Sequence, residues 1–335
     1  MKEAVTLSNS KIYSILILVM LLWGLNVTWL KIIVSNGEPI TIQSVRIFLA
    51  GITVFLILLL MKQKVFVKNM PWKYILIGSF FGVICHHAFM AVGIEQTTGT
   101  KTAIISGLSP LITALIAVIF KDTVMTISKL VGFLLGGLGV CIAVIQSFHE
   151  ILNIELGDIL VFLSFLLQAF SFIAIRRGTR TISPLLMTAY MLTIGSVILL
   201  ISSLFIYPTS LSAFMTSDFQ FWSIFILSGV FATGVGHSLY NLCIKHIGTA
   251  ESAIFVNLNT VFALFGTALL LNEIISIQQL IGTMIIIIGV IVGTSNIEAI
   301  ILKYKRSKIN RKPLESSNLV NTEQQQEKID SNKLL

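Results

Sequence analysis

Long apolar runs, separated by short polar or charged clusters, make up most of this chain. Ten runs, at roughly 12–34, 39–61, 74–94, 101–120, 129–147, 158–175, 184–206, 221–244, 251–271 and 277–299, approach the ~20 apolar residues a helix needs to cross a bilayer. The pattern predicts ten transmembrane helices. Glycine recurs inside the runs, as in FLLGGLGV at 133–140, which suits close helix packing in lipid. The first run follows Lys2 and Lys11 and continues through LLWGLNVTWLK to about Val34 without a small-residue cleavage site. It reads as a retained span and not as a signal peptide.

Composition agrees with this pattern. Of 335 residues, 55% are hydrophobic and 11% charged, and the mean hydropathy is +0.93. A soluble protein of this length has no way to hide so much apolar surface, so lipid is the solvent for most of it. The net charge of +8 therefore speaks for membrane orientation and not for nucleic acid. With the N-terminus in the cytoplasm, Lys62, Lys64, Lys68, Lys73, Lys121, Lys129, Arg176, Arg177, Arg180 and Lys245 fall inside. The opposite side receives Lys31 and Lys101 with Glu38, Glu95, Glu150, Glu155, Asp158, Asp218 and Glu273. This asymmetry predicts a multi-pass plasma-membrane protein with both termini cytoplasmic. Residues 1–11 form a short cytoplasmic start, and 300–335 a basic, polar, disordered tail. Cys85, Cys141 and Cys243 each lie within an apolar run without a partner at metal-ligand spacing, and read as small buried hydrophobes.

The chain also repeats itself. Shifted by 150 residues, the third to fifth runs fall on the eighth to tenth, pairing Phe81 with Phe231, His87 with His237, Gly132 with Gly282 and Gly139 with Gly289. A shift of 145 sets Lys31 on Arg176 and Pro39 on Pro184. The boundaries are 12–147 and 148–299, five runs each. An odd number of spans per copy turns the second copy upside down in the membrane. The fold class expected is thus an all-α integral membrane protein built as two inverted five-helix repeats, an architecture suited to alternating access.

Several stretches carry a family resemblance: WGLNVTWLK (23–31), PITIQSVRIFLAG (39–51), GIEQTTGTKTAIISGLSPLITAL (93–115) and IGTAESAIFVNLNTVFALFGTALLLNEIISIQQLIGTMIIIIGVIVG (247–293). Across about 12–299 the chain resembles the drug/metabolite transporter superfamily, in particular its EamA-like ten-span members. It departs from the second-half pattern at Asp122, one place earlier than the repeat puts Glu273. The resemblance implies a carrier of small metabolites, commonly amino acids or related compounds and often outward. The pathway would lie between spans one, three and four and their mates six, eight and nine.

Residue by residue, His87 precedes Glu95 by eight positions and His237 precedes Lys245 by eight. Eight helical residues rise about 12 Å against a half-bilayer of about 15 Å, which sets each imidazole about 3 Å from the midplane, on opposite sides. Polar groups at that depth need partners, or line a pathway. As pathway residues the pair would donate hydrogen bonds or titrate. As packing residues, they and His86 would simply be satisfied within the bundle. His86 aligns with Gly236 in the repeat.

Trp23 and Asn26 lie mid-span in the first run, and Tyr240 and Asn241 follow His237 at the third and fourth positions, on one helix face. Asn257 and Asn259 add amides on span nine, and Ser106 and Ser109 add hydroxyls before Pro110. Arg46 lies about 10 Å into span two. Its charge would attract a carboxylate, or pair with a loop acid such as Glu95. No acid lies mid-span, which disfavours strongly cationic substrates.

The function expected is a secondary active transporter, an exporter of small metabolites, with no catalytic residue, metal or cofactor. Its partners would be a small-molecule substrate and the lipid bilayer, with no nucleic acid. The alternatives are an intramembrane enzyme or metal-binding membrane protein using His86, His87 and His237, and a channel or lipid scramblase. No HExxH, GxSxG or P-loop motif occurs.

Overall fold

The computed structural model describes residues 8–34, 36–97, 99–144, 154–271 and 275–295. Among the described residues all regular structure is helical. In chain order the long helices are α1 (Asn9–Val34), α2 (Pro39–Leu60), α3 (Trp72–Glu95), α4 (Gly99–Ile119) and α5 (Ile127–Val144). The second half holds α6 (Leu156–Gly178), α7 (Pro184–Ile206), α8 (Phe219–Ile247), α9 (249–271) and α10 (Ile277–Thr294). Eight of them, all but α4 and α9, are long and apolar enough to cross a membrane. In α4 the apolar stretch is the shorter Ile104–Ile119. The helix α9 is divided into Thr249–Ile254 and Leu258–Leu271 by a 3-10 turn at Phe255–Asn257. Leu60, Phe205, Leu269 and Ile291 stand outward. Apolar side chains exposed on this scale belong against lipid, and the chain is a multi-pass membrane protein.

Local chemistry starts these helices where the sequence changes character. Pro39 and Pro184 open α2 and α7, where the absent N–H of proline removes nothing from the helix. The preceding Glu38 accepts from the Ile40 and Thr41 amides, and Ser183 accepts from Leu186 N at 3.2 Å. Asp218 caps α8 through Phe221 N at 2.8 Å. Ser276 and Gln279 form a capping box on α10.

Two helices contain a π-helical segment: Phe80–Cys85 in α3 and Leu227–Val235 in α8. Each ends immediately before or one residue short of a site histidine, His86–His87 or His237. A π-segment widens the turn and takes carbonyls out of the regular ladder, and such segments recur at functional sites.

The halves interlock. Helix α2 packs along α7, and α5 along α10. Helix α1 packs on α8 and α9, while α6 packs on α3 and α4. The α5–α10 seam is glycine against glycine. A Cβ at Gly139 would lie 2.7 Å from the Gly282 carbonyl oxygen, and one at Gly282 only 2.5 Å from that of Gly139. Gly132 and Gly289 meet in the same reciprocal way, at 2.7 and 2.9 Å. Backbones this close gain dispersion contacts that no larger residue permits.

Candidate functional site

His237 and Tyr240, one turn apart on α8, both reach the indole of Trp23 on α1. Ring centroids are 4.9 Å from His237 to Trp23 and 5.0 Å from Tyr240 to Trp23, and Phe172 of α6 stands 5.4 Å from Tyr240. Gly236 makes this approach feasible, since a Cβ there would come within 2.9 Å of Trp23 Nε1. That indole nitrogen donates to the Ala232 carbonyl at 2.9 Å, inside the π-segment. His237 Nδ1 lies 3.1 Å from the Thr233 carbonyl. A carbonyl only accepts, so Nδ1 carries the proton and Nε2 is the free lone pair of the neutral ring. Trp23 and His237 are half-buried, whereas Tyr240 is fully buried.

Arg46 of α2 joins the same segment from the other side. Its side chain is 2% exposed. One terminal nitrogen donates to Ser228 Oγ at 3.1 Å and to Thr233 Oγ1. Its Nε and other terminal nitrogen both donate to Gln43 Oε1, at 3.0 and 2.5 Å. Ser228 in turn donates to Asn26 Oδ1 at 2.5 Å. The chain Asn26–Ser228–Arg46–Thr233 thus ties α1, α2 and α8 together. The loop acid Glu95 is exposed at the end of α3 and forms no ion pair with Arg46.

The histidine doublet separates cleanly. His86 Nδ1 donates to the Ser164 carbonyl at 3.1 Å, and its Nε2 accepts from Gln168 Nε2 at 3.3 Å. Both ring nitrogens are spent on α6, so His86 is a satisfied packing residue. His87 is half-buried, and among the described residues its ring nitrogens have no hydrogen-bond partner. Arg46, His87 and His237 lie within electrostatic reach of one another, so the repeat-related imidazoles share one neighbourhood. Among the described residues no group of three or more His, Cys, Asp or Glu gathers as a metal site.

The amides divide. Asn241 shares a face with His237 in sequence but turns to α7, donating to Thr188 Oγ1 at 2.8 Å. Both amide atoms of Asn257 are buried without a partner, with its side chain against Gly136 of α5. Asn259 Oδ1, Tyr240 Oη and Thr28 Oγ1 are likewise buried and unpaired. Thr193 Oγ1, Ser252 Oγ and Asn241 Oδ1 are buried and unpaired as well, and buried polar atoms left open in this way call for a partner. Sequence reasoning missed Gln43, Ser228 and Thr233. Hydroxyls in an apolar run carry no signal by themselves, and Gln43 stands out only as the residue one turn before Arg46.

Polar contacts tie helices together at each end of the bundle. At one, Arg176 pairs with Asp122 at 3.4 Å, Thr249 Oγ1 donates to Asp122 at 2.9 Å, and Tyr13 Oη donates to Glu251 at 2.6 Å. At the other, Lys101 pairs with Asp158 at 3.2 Å and Glu155 at 3.4 Å, and Thr97 donates to Asp158. Lys31, Glu273 and the tail fall outside the side chains described.

Comparison with known proteins places this arrangement. The EamA-like transporter family profile matches twice, at residues 10–145 and 155–294. The "Uncharacterized transporter YyaM" of Bacillus subtilis (strain 168) is 28% identical over 295 residues, covering 86% of this chain and 95% of its own. An "Uncharacterized transporter" of Archaeoglobus fulgidus is 22% identical, over 84% of this chain and 97% of its own. A solved structure titled "Crystal structure of protein" superimposes with a TM-score of 0.70 at 15% identity, over 86% of this chain and 97% of that one, a likeness of fold. With both halves matched, the chain belongs to the EamA-like transporter family, within the drug/metabolite transporter superfamily, and is a membrane transporter.

Proposed function

We propose that the protein is a secondary active transporter, an exporter of small metabolites such as amino acids or related compounds. It would work by alternating access between two inverted five-helix repeats, 12–147 and 148–299, with ten spans in the plasma membrane and both termini cytoplasmic. No catalytic residue enters this reading. The observation that carries it is the reciprocity of the packing. Exchanging the halves turns the α1–α8 contact into α6–α3 and the α1–α9 contact into α6–α4, and returns the α2–α7 and α5–α10 contacts to themselves. It also turns the Tyr13–Glu251 bond at one end of the bundle into the Asp158–Lys101 pair at the other. Two halves of one shape facing opposite ways have two arrangements of similar energy, one open to each side. A substrate that binds between them shifts the balance by its differential affinity alone. The double family match supports the same reading. The half-buried Trp23, His87 and His237, with Asn26, Asn257 and Asn259, supply the pathway.

The test is transport by the purified protein in liposomes. A metabolite gradient alone should drive saturable uptake and counterflow, without nucleotide. His87→Ala and His237→Ala should each slow it by about tenfold, the loss of one charged or polar contact. Strict nucleotide dependence, or flux that never saturates, would sink the carrier; unimpaired flux in both variants would remove the histidine pair from it.

A further inference from the structure

We infer that the transported metabolite is a small organic carboxylate without a compensating ammonium group, and that its carboxylate replaces Gln43 on the guanidinium fork of Arg46. The inference rests on the carrier reading and narrows its substrate to the related compounds, setting amino acids themselves aside.

Three observations lead there. The first is a charge without a partner. Arg46 is 2% exposed and its hydrogen-bond partners are all neutral: Gln43, Ser228 and Thr233. Burying a guanidinium is expensive unless an anion accompanies it. If tying α2 to α8 were its only task, a neutral donor would do it at lower cost.

The second is the shape of the contact. Nε and the neighbouring terminal nitrogen form the side of the fork that matches a carboxylate in two parallel hydrogen bonds. Here both converge on the single amide oxygen of Gln43, at 3.0 and 2.5 Å. Gln43 sits one turn earlier on the same helix and is only half-buried, so its side chain has room to swing aside. The other terminal nitrogen stays fixed on Ser228 and Thr233 and holds the fork in place. Of the five N–H groups of the guanidinium, four are used in these bonds, which leaves one more for an incoming oxygen.

The third is the charge of the surroundings. Every Asp and Glu among the described residues lies at a helix end or in a connection. Among the described residues, the ionisable groups within electrostatic reach of Arg46 are His87 of α3 and His237 of α8. An amino-acid ammonium brought to this depth would meet the Arg46 guanidinium and two imidazoles and no carboxylate. A carboxylate would meet Arg46 directly.

Matched probes decide the point in proteoliposomes: phenyllactate as the anion, phenyllactamide as its neutral isostere, phenylalanine as the zwitterion, and the smaller set lactate, lactamide and alanine. The wild type should carry, or have its flux competed by, a carboxylate about 10- to 100-fold better than the amide and amino acid of the same set. Gln43→Glu supplies the fork with an internal carboxylate. It should raise the melting temperature in detergent and abolish carboxylate transport. Gln43→Ala empties the fork and should lower the KM for the carboxylate several-fold with the protein still folded. The inference is overturned if amide or amino acid moves as well as the acid, if Gln43→Glu transports the acid normally, or if Gln43→Ala raises its KM. Movement of amino acids alone would leave the carrier standing without its anion site. No movement or competition by any probe would remove both.

Discussion

The two π-segments are met by the same constellation of helices but by different chemistry. Around the segment of α8, the partners are Trp23, Asn26 and Arg46, bonded to Ala232, Ser228 and Thr233. Counting 145 residues on, the corresponding partners of the α3 segment are Gln168, Ser171 and Met191. There the thioether of Met191 lies over Gly78, and Ser171 Oγ would be 2.5 Å from a Cβ at Gly82. Where α8 has Gly236 to admit a large indole, α3 has His86 against the smaller Gln168. Large and small residues change places between the crossings, and both hold hydrogen-bond donors, but the charge of Arg46 sits at one of them. The fold needs two shaped crossings. A charged group at both would double the desolvation cost, and only the α8 crossing carries one.

Making the crossings alike is the hardest test of this contrast. Met191→Arg would press a guanidinium against Gly78 and Val83, which offer no hydroxyl in the places of Ser228 and Thr233. A buried charge left uncompensated costs about 3–5 kcal/mol, and the variant should melt far below wild type in detergent or fail to accumulate. The converse Arg46→Met should lose only about 1–3 kcal/mol, from hydroxyls left unpaired, yet reduce transport by about 100-fold. Equal melting losses in the two variants would break the contrast.

The glycine seam predicts symmetry where the crossings predict difference. Gly139→Leu and Gly282→Leu face each other reciprocally and should cost the same, about 1–3 kcal/mol or more, since backbones must part; thermal melts of the two would read this directly. Trp23→Ala should slow transport by about tenfold through loss of the tilted ring contact with His237 and the bond to Ala232, while Gln168→Ala at the matching place leaves the rate nearly unchanged. The smallest effect belongs to the ends. Tyr13→Phe removes one hydrogen bond to Glu251, worth about 1 kcal/mol, and should raise cysteine-labelling access from that end of the bundle without lowering expression.

Helix positions were legible because they are local. The apolar runs at 39–61 and 184–206 became Pro39–Leu60 and Pro184–Ile206, with the prolines as the start signals. The run at 251–271 predicts one span, but the helix is broken at Phe255–Asn257, and neither this 3-10 turn nor the π-segments leave a mark in the hydrophobic pattern. In the site, the pairing of His87 with His237 came from the repeat, and the structure sets both near Arg46. The spacing of His237, Tyr240 and Asn241 predicts one cluster on one face. Residues three and four places on diverge around the helix, enough to send Tyr240 to Trp23 and Asn241 to Thr188. For Arg46 the sequence offered a loop acid such as Glu95, whereas its partners on α8 lie 182 and 187 residues away.

Sequence alone determined that this chain crosses a membrane repeatedly and that its second half echoes its first. In lipid each helix must satisfy its own backbone, so about twenty apolar residues in a row announce a span without help from neighbours. Side chains have no such local solution. Which hydroxyl meets Arg46, which imidazole is spent on α6, and which amides are left open are settled only when helices far apart in the chain pack, because a buried polar atom takes whatever partner the packed neighbour presents.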